Sequence, residues 1–211
     1  DLAEPLDDLR QNTAKIQEYG KRADAIINGM LAHSRSGPSR REARDLNAML
    51  SESVNLAYHG ARANDPSFNT GLRTDFDPAV GMVDIAANDL SRVFVNIIHN
   101  AIYAAREKKR SLGGAYAPMV HVRTVNLGDR VEVRVHDNGT GIPAAVLDKV
   151  FNPFFTTKPP GEGTGLGLSL SHDVVVGGHQ GELRVHSKEG EYTEFVISLP
   201  RSAPDAASLI G

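Results

Sequence analysis

Cysteine is absent from the 211 residues, which excludes a disulfide framework, a thiolate metal site and a thiol nucleophile. The reducing cytoplasm is compatible with that composition. Long hydrophobic runs are absent too. None approaches the roughly 18 residues of a membrane span, and the start shows no secretory leader. Charge of one sign is scarce: 23 Lys and Arg stand against 26 Asp and Glu, a net charge of −3, so nothing points to nucleic acid or a membrane surface. The eight His are scattered, with no pair at ligand spacing on one helix. There is no G-x-S-x-G nucleophile elbow and no internal repeat.

What remains is ordinary for a soluble globular protein: 40% hydrophobic and 23% charged residues, with length for one domain or one domain plus an appendage. The appendage comes first. Leu2, Leu6, Leu9, Thr13, Ile16, Gly20, Ala23, Ile27 and Met30 recur in alternating steps of four and three, the seam of a helical bundle or coiled coil. Such a helix would be roughly 50 Å long, and one apolar stripe cannot bury itself. Its partner is either the chain's own domain or, as the length favours, a helix of another molecule or of a missing hairpin arm. The chain opens inside this pattern, which reads as a piece of something longer. Ser36-Gly37-Pro38-Ser39 ends the helix.

The patterning then predicts a strand near Arg44–Leu46 and a helix from Asn47 to about Ala61, with Leu50, Val54, Leu56 and Ala57 toward a core. Strands Leu72–Phe76 and Val80–Ile85 flank an Asp77-Pro78 turn. Asn88 or Asp89 caps the next helix, whose Leu90, Val93, Phe94, Ile97, Ile98, Ala101 and Ala105 fall at helical spacing. Asn96, Asn100 and Tyr103 share a neighbouring stripe, and two Asn beside a core face are costly unless they bind something. The basic run Arg106–Arg110 reads as a solvated helix end that complements the dipole. A hairpin follows at Met119–Asn126 and Arg130–His136, then a helix from Leu166 to about Val176, then a hairpin at Glu182–Ser187 and Tyr192–Leu199. The tail after Pro200 reads as disorder or linker.

The stretch from Asp137 to Leu168 carries the chemistry. It reads D-N-G-T-G-I-P, then F-N-P-F-F-T-T-K, then G-E-G-T-G-L-G-L. An acidic residue at a strand end can accept from an amino group on a base, and a glycine-rich loop entering a helix offers backbone N–H groups to phosphate. A dinucleotide fold is excluded because Lys158-Pro159-Pro160, not a strand, precedes the glycines. A P-loop is excluded because Gly-Lys followed by Ser or Thr does not occur. A glycine cluster alone is as readily a flexible loop. In conjunction with the Asn stripe, the order Asn96–Ala101, Asp137–Gly141, Phe151–Phe155, Gly163–Leu168 resembles the ATP-binding domain of bacterial sensor histidine kinases. That domain belongs to the superfamily shared by gyrase, the ninety-kilodalton heat-shock chaperone and the mismatch-repair ATPase. The resemblance covers roughly Arg44 to Pro200.

The resemblance implies a two-layer α/β sandwich, with a mixed, mostly antiparallel sheet packed on helices, an ATP lid and the long N-terminal helix. It implies ATP and Mg²⁺ as cofactors. Asp137 would bind the adenine amino group, partly through water, and Gly139 and Gly141 would let the backbone approach the base, with Ile142 beside them. Asn100 would ligate Mg²⁺ through its amide oxygen, and Asn96 would sit one turn earlier near the phosphates. Tyr103 would flank the nucleotide or merely pack. The lid would start at Phe151, with Phe154 and Phe155 as its apolar anchors. Lys158 is either a lid cation at the γ-phosphate or a solvated loop lysine. Gly163, Thr164, Gly165, Leu166, Gly167 and Leu168 would give backbone N–H groups to the triphosphate.

Asn96 also discriminates among members. ATPases and serine kinases of the superfamily carry there the Glu that serves as base; Asn cannot take a proton. A histidine acceptor needs less help, so a histidine kinase is implied, with Asn96 and Lys158 as its catalytic side chains. The family's acceptor His, followed by an acidic residue and then Pro, has no counterpart here. His33 lies on the arm without the acceptor, and His99 sits inside the Asn box, partly buried. Residues 1–38 would be the second arm of a dimerisation hairpin, 39–200 the catalytic domain and 201–211 a tail. Implied partners are ATP, the hairpin with its acceptor His, a response regulator receiver domain and, in the intact protein, a second copy. The location would be cytoplasmic, with membrane attachment of the parent left open. Alternatives are a nucleotide-binding dimer scaffold and a gyrase- or chaperone-type ATPase. Tyr192-Thr193-Glu194, Pro159-Pro160 and the long basic helix end depart from the family pattern.

Overall fold

A computed structural model describes residues 8, 9, 12, 13, 16, 19, 20, 40–65, 69–159 and 162–202. The described positions between 8 and 20 are helical, and the Thr13 hydroxyl donates to the Leu9 carbonyl at 2.7 Å. Leu9 and Ile16, both on the apolar seam, are 66% and 71% exposed. The rest of residues 1–38, His33 included, lies outside the described residues, as does the tail from 203.

The sandwich begins with strand β1, Glu42–Asp45, and helix α1, Leu46–Asn64. The predicted strand ran one residue too far, because Asp45 accepts from the Ala48 N–H at 3.1 Å and caps the helix before Leu46. Leu50, Val54, Ala57 and Ala61 follow the helical repeat into the core. Leu56 does not; it is 61% exposed, two residues out of phase with Val54 on the pitch of 3.6. It borders a shallow groove with Val95 and His99.

Strands β2, Gly71–Asp75, and β3, Met82–Ile85, go to different sheets. β3 pairs antiparallel with β1, and β2 pairs parallel with β4, Met119–Asn126. The Asp77 carboxylate accounts for the separation. It accepts from the Ala79 N–H at 2.9 Å and from the Asn126 N–H at 3.0 Å, so the turn is pinned to the end of β4. With β5, Arg130–Asp137, β6, Glu182–Lys188, and β7, Tyr192–Pro200, the main sheet has the order β2-β4-β5-β7-β6. Alternation is clean on β4 and β5: Val120, Val122, Val131, Val133 and Val135 are buried against the helical layer. The expected two-layer sandwich with a mostly antiparallel sheet is what forms.

Helix α2, Ala87–Leu112, is the spine of that layer. All seven apolar positions expected to be buried are buried, with Ile102 added. Its start differs from expectation. Asn88 and Asp89 lie inside the first turn, and the N-cap is Ala86, which has no side chain to cap with. The Ala86 N–H instead donates to His179 Nε2 at 3.0 Å. The other end differs as well. The basic run is tied down rather than solvated: Lys108 Nζ donates to the Asn138 carbonyl at 2.8 Å and Lys109 Nζ to the Tyr116 carbonyl at 2.6 Å. These ammonium groups satisfy loop carbonyls beside the sheet, which outweighs full hydration when the acceptors are already in place.

Helix α3, Gly167–His172, runs into a π turn at Asp173–Gly178 before β6. Arg201 closes the structure. Its guanidinium donates to the Val80 carbonyl at 2.6 Å and to Asn126 Oδ1 at 2.8 Å, joining the two sheets one residue beyond β7.

Candidate nucleotide site

A cleft of about 370 Å³ lies between α2, the end of β5 and the loop that precedes α3. One end of the cleft is built around Asp137. Asp137 ends β5 at 2% exposure, opposite Thr193 of β7. Its carboxylate accepts from the Gly139 N–H at 2.8 Å. Burial pushes its pKa from 3.8 up to about 7, against the opposing pull of that N–H, the Lys108 charge and the Thr193 N–H. A buried carboxyl that still faces a cleft is poised to accept from a neutral donor such as an aromatic amine. Thr140, Gly141 and Ile142 wall the same end. The Ile142 N–H donates to Ser187 Oγ at 2.8 Å, and the Gly190 N–H to the Thr140 carbonyl at 2.7 Å, so the loop is anchored on the β6–β7 hairpin.

The two glycines of this loop have distinct steric reasons. A Cβ on Gly139 would lie 2.6 Å from the Ala104 carbonyl carbon, so Gly139 lets α2 press against the strand end. At Gly141 the φ is +65° and a Cβ would lie 2.2 Å from the Lys188 carbonyl oxygen. Both close approaches are therefore to the protein's own backbone, although Gly141 also lines the cleft.

The other end carries the Asn stripe. Asn96, Asn100 and Tyr103 all line the cleft, as their spacing on one helix face requires. Asn96 Nδ2 donates to Ser171 Oγ at 3.0 Å, and Gly167 sits so close that a Cβ there would lie 2.4 Å from Asn96 Oδ1. Asn100 Oδ1 accepts from Lys158 Nζ at 2.8 Å. Lys158 is thus half-buried in the cleft rather than solvated, with its ammonium 4.2 Å from the Tyr103 ring centroid. Burial holds its pKa below the usual lysine range, with Arg106 adding to the shift and Glu162 opposing it. Tyr103 is both a wall and a partner: its hydroxyl donates to Glu162 at 3.0 Å. Burial first, then Glu162, pushes its pKa up to about 12.

Phe155, Gly163, Thr164, Gly165, Gly167 and Leu168 complete the wall; Leu166 is buried behind them at 8% exposure. Phe154 does not anchor the loop. Its φ of +67° turns it outward to 48% exposure, and Gly165 packs so tightly on its backbone that a Cβ would lie 2.3 Å from the Phe154 carbonyl carbon. Phe151 anchors instead, with its ring 5.4 Å from His172 and 6.5 Å from Phe195. His99 lies at the rim between the cleft and the groove beside Leu56: its side chain reaches solvent, and it is buried enough for desolvation to lower its pKa, with Lys158 and Arg106 adding to the shift. Thr193 and Glu162 are among the contributors that escaped the sequence reading. Thr193 reaches the site only through its pairing with Asp137. Glu162 sat in plain view inside G-E-G-T-G, but nothing in the string says that it meets Tyr103.

Among the described residues no three His, Asp or Glu side chains converge on a metal position. Asn100 offers one hard amide oxygen, which in this structure already holds a cationic group. That donor set fits an ion such as Mg²⁺, which keeps most of its ligands from water and phosphate.

Comparison with known proteins bears on the family and the fold. The family model for histidine kinase-, DNA gyrase B- and HSP90-like ATPases matches residues 85–203. The sensor kinase CckA of Brucella abortus (strain 2308) is 35% identical over 194 residues, covering 88% of this chain but 20% of that protein. The nucleotide-free catalytic domain of the histidine kinase ThkA superposes with a TM-score of 0.63 at 25% identity, covering 77% of this chain and 96% of that one. ThkA in complex with the response regulator TrrA shares the fold over 94% of this chain and 52% of that one, with a TM-score of 0.68 at 22% identity. The chain therefore belongs to the histidine kinase-, DNA gyrase B- and HSP90-like ATPase family and carries the ATP-binding catalytic domain of the sensor histidine kinases.

Proposed function

We propose that this chain binds Mg·ATP between Asp137 and Asn100 and, in the intact protein, presents the γ-phosphoryl to a histidine on a helical hairpin. The observation that carries this is the pairing of opposite chemistries along one cleft: a buried carboxyl at one end and an amide oxygen that holds a cation at the other. Asp137 accepts from the adenine amino group, partly through water, with Thr193 and Ile142 walling the same end. Asn100 holds Mg²⁺, which when bound neutralises phosphate charge. Asn96, fixed by Ser171, orients the phosphate end without acting as a base. Lys158 stabilises the γ-phosphoryl charge, and the backbone from Gly163 to Leu168 supplies donors. Catalysis of this kind is positioning and charge compensation.

Residues 1–38 serve as the second arm of the dimerisation hairpin, supported by the exposed Leu9 and Ile16 on its seam. The intact protein is then a homodimer whose other arm brings the acceptor, and the residues after Arg201, which is itself tied into the fold, form the linker or tail. The second phosphoryl acceptor is an Asp of a response regulator, supported by the likeness in fold to ThkA solved with TrrA. We place the domain in the cytoplasm, where ATP is available. No helix among the described residues is long and apolar enough to cross a membrane.

Calorimetry with Mg·ATP tests the site: wild type binds, and Asp137→Asn loses affinity by roughly tenfold or more, the cost of one mismatched buried hydrogen bond. Absence of binding to wild type defeats the reading. Incubation of the chain with γ-labelled ATP is expected to leave no stable label on the protein, whereas an added hairpin with its His is expected to become labelled. Steady phosphate release without any acceptor would favour an ATPase instead.

A further inference from the structure

The loop over the cleft is fastened to one face of α2 at two points. Lys158 Nζ donates to Asn100 Oδ1 at 2.8 Å and lies 4.2 Å from the Tyr103 ring centroid. Glu162 accepts from the Tyr103 hydroxyl at 3.0 Å. Asn100 and Tyr103 are neighbours on the helix surface, so both fastenings act at one place. Arg106 lies over the same ring, 5.2 Å from its centroid, which leaves Tyr103 holding two cations by its π system. The oxygen engaged by Lys158 is the amide oxygen read above as the ligand of the divalent ion. An ion needs that oxygen at about 2.1 Å, and two positive charges repel strongly when brought to one oxygen in a partly buried site.

Building on the Mg·ATP reading above, we infer that Lys158 is an internal competitor for the divalent cation at Asn100, and that the Tyr103–Glu162 contact is the second fastening of the same latch. Binding of a metal–nucleotide complex requires the ammonium to leave Asn100. A triphosphate offers the released lysine a terminal phosphate in exchange; a diphosphate does not. The cost of unfastening Lys158 therefore falls on both nucleotides alike, and only the triphosphate offsets it, through its contact with the released ammonium. The latch also makes Glu162 and Tyr103 positioning residues for Lys158.

Calorimetric titration of the whole chain with ADP, in Mg²⁺ and separately in EDTA, tests this through the ratio of the two affinities. ADP removes any contribution from a γ-phosphate contact. Lys158→Met keeps the alkyl stem over Tyr103 and deletes the ammonium. It is expected to raise the Mg²⁺-to-EDTA affinity ratio by roughly fivefold or more, the worth of one charge-assisted bond, and to narrow the preference for ATP over ADP. Tyr103→Phe keeps every charge in place and releases only Glu162; the ratio is expected to rise about twofold. Deleting a positive charge would by itself move the first variant and leave the second at the wild-type value. A rise in both variants, accompanied by faster hydrogen exchange over residues 155–159 in the nucleotide-free protein, supports the latch. A rise in Lys158→Met alone, or in neither, overturns it. If wild type binds neither ADP nor ATP, the nucleotide reading fails; if it binds both with the ratio unmoved in the variants, the latch alone fails.

Discussion

On the proposed reading, Asp137 is asked to do two things that conflict. Its burial favours the neutral acid, whereas an adenine amine needs an ionised acceptor. With a folded pKa of about 7 against 3.8 for the free group, the folded chain binds more protons than the unfolded chain between those values. Its stability accordingly falls as pH rises through that window. Asp137→Asn is expected to raise stability at pH 8 by up to about 3 kcal/mol and to change it far less at pH 5, read from denaturant melts at both values. In wild type, ATP affinity is expected to fall as pH drops through about 7, the opposite direction. A residue that costs stability while serving the ligand is a frequent mark of a functional site. Gly139 is a different case at the same scale. Gly139→Ala places a Cβ 2.6 Å from the Ala104 carbonyl carbon, a backbone atom that cannot rotate away. A loss of about 1–3 kcal/mol is expected, measurable as a lowered denaturation midpoint.

Between elements, the key fastening is His179. It sits at 3% exposure after the π turn, donates from Nδ1 to the Val174 carbonyl at 2.8 Å and accepts at Nε2 from the N-cap of α2. Burial lowers its pKa from 6.5, helped by Arg41 and opposed by the Val174 carbonyl, Asp89 and Asp84. The unfolded chain therefore binds more protons just below pH 6.5, so the stabilisation is present above that pH and is lost as pH falls through the folded value. His179→Ala leaves the Ala86 N–H without its acceptor and is expected to cost about 1–3 kcal/mol at pH 7.5. Thermal melts should show the gap to wild type shrinking toward pH 5.5. This contact also shows what was legible in the string. Where neighbours in sequence pair in space, as β4 with β5 or β6 with β7, alternation and turn residues placed the elements within a residue or two. The apolar stripe of α2 and the Asn stripe beside it were equally plain. The fastening of α2 by a histidine 93 positions away was not, nor was the parting of β2 and β3 into separate sheets. Both are decided by long-range partners that leave no local signature.

At the scale of the whole molecule, the described helical positions before residue 40 behave unlike the sandwich. Leu9 and Ile16 face outward, whereas the core draws on α1, α2 and the strands. Leu9→Ser with Ile16→Ser is expected to leave the unfolding free energy of the sandwich within about 0.5 kcal/mol of wild type. It should lower any self-association, as read by sedimentation at matched concentration. Loss of the domain's cooperative transition would instead make that helix part of the domain's own core.

Helix α2 has one more consequence. Ala104, pressed against Gly139 beside the carboxyl, and Asn96, pressed against Gly167, lie on the same helical rod. Eight residues of helix span about 12 Å. The rod is a measuring stick with a stop at each end. A molecule must be long enough to touch both stops to gain from both, and the strength of its grip should climb stepwise as phosphates are added to adenosine.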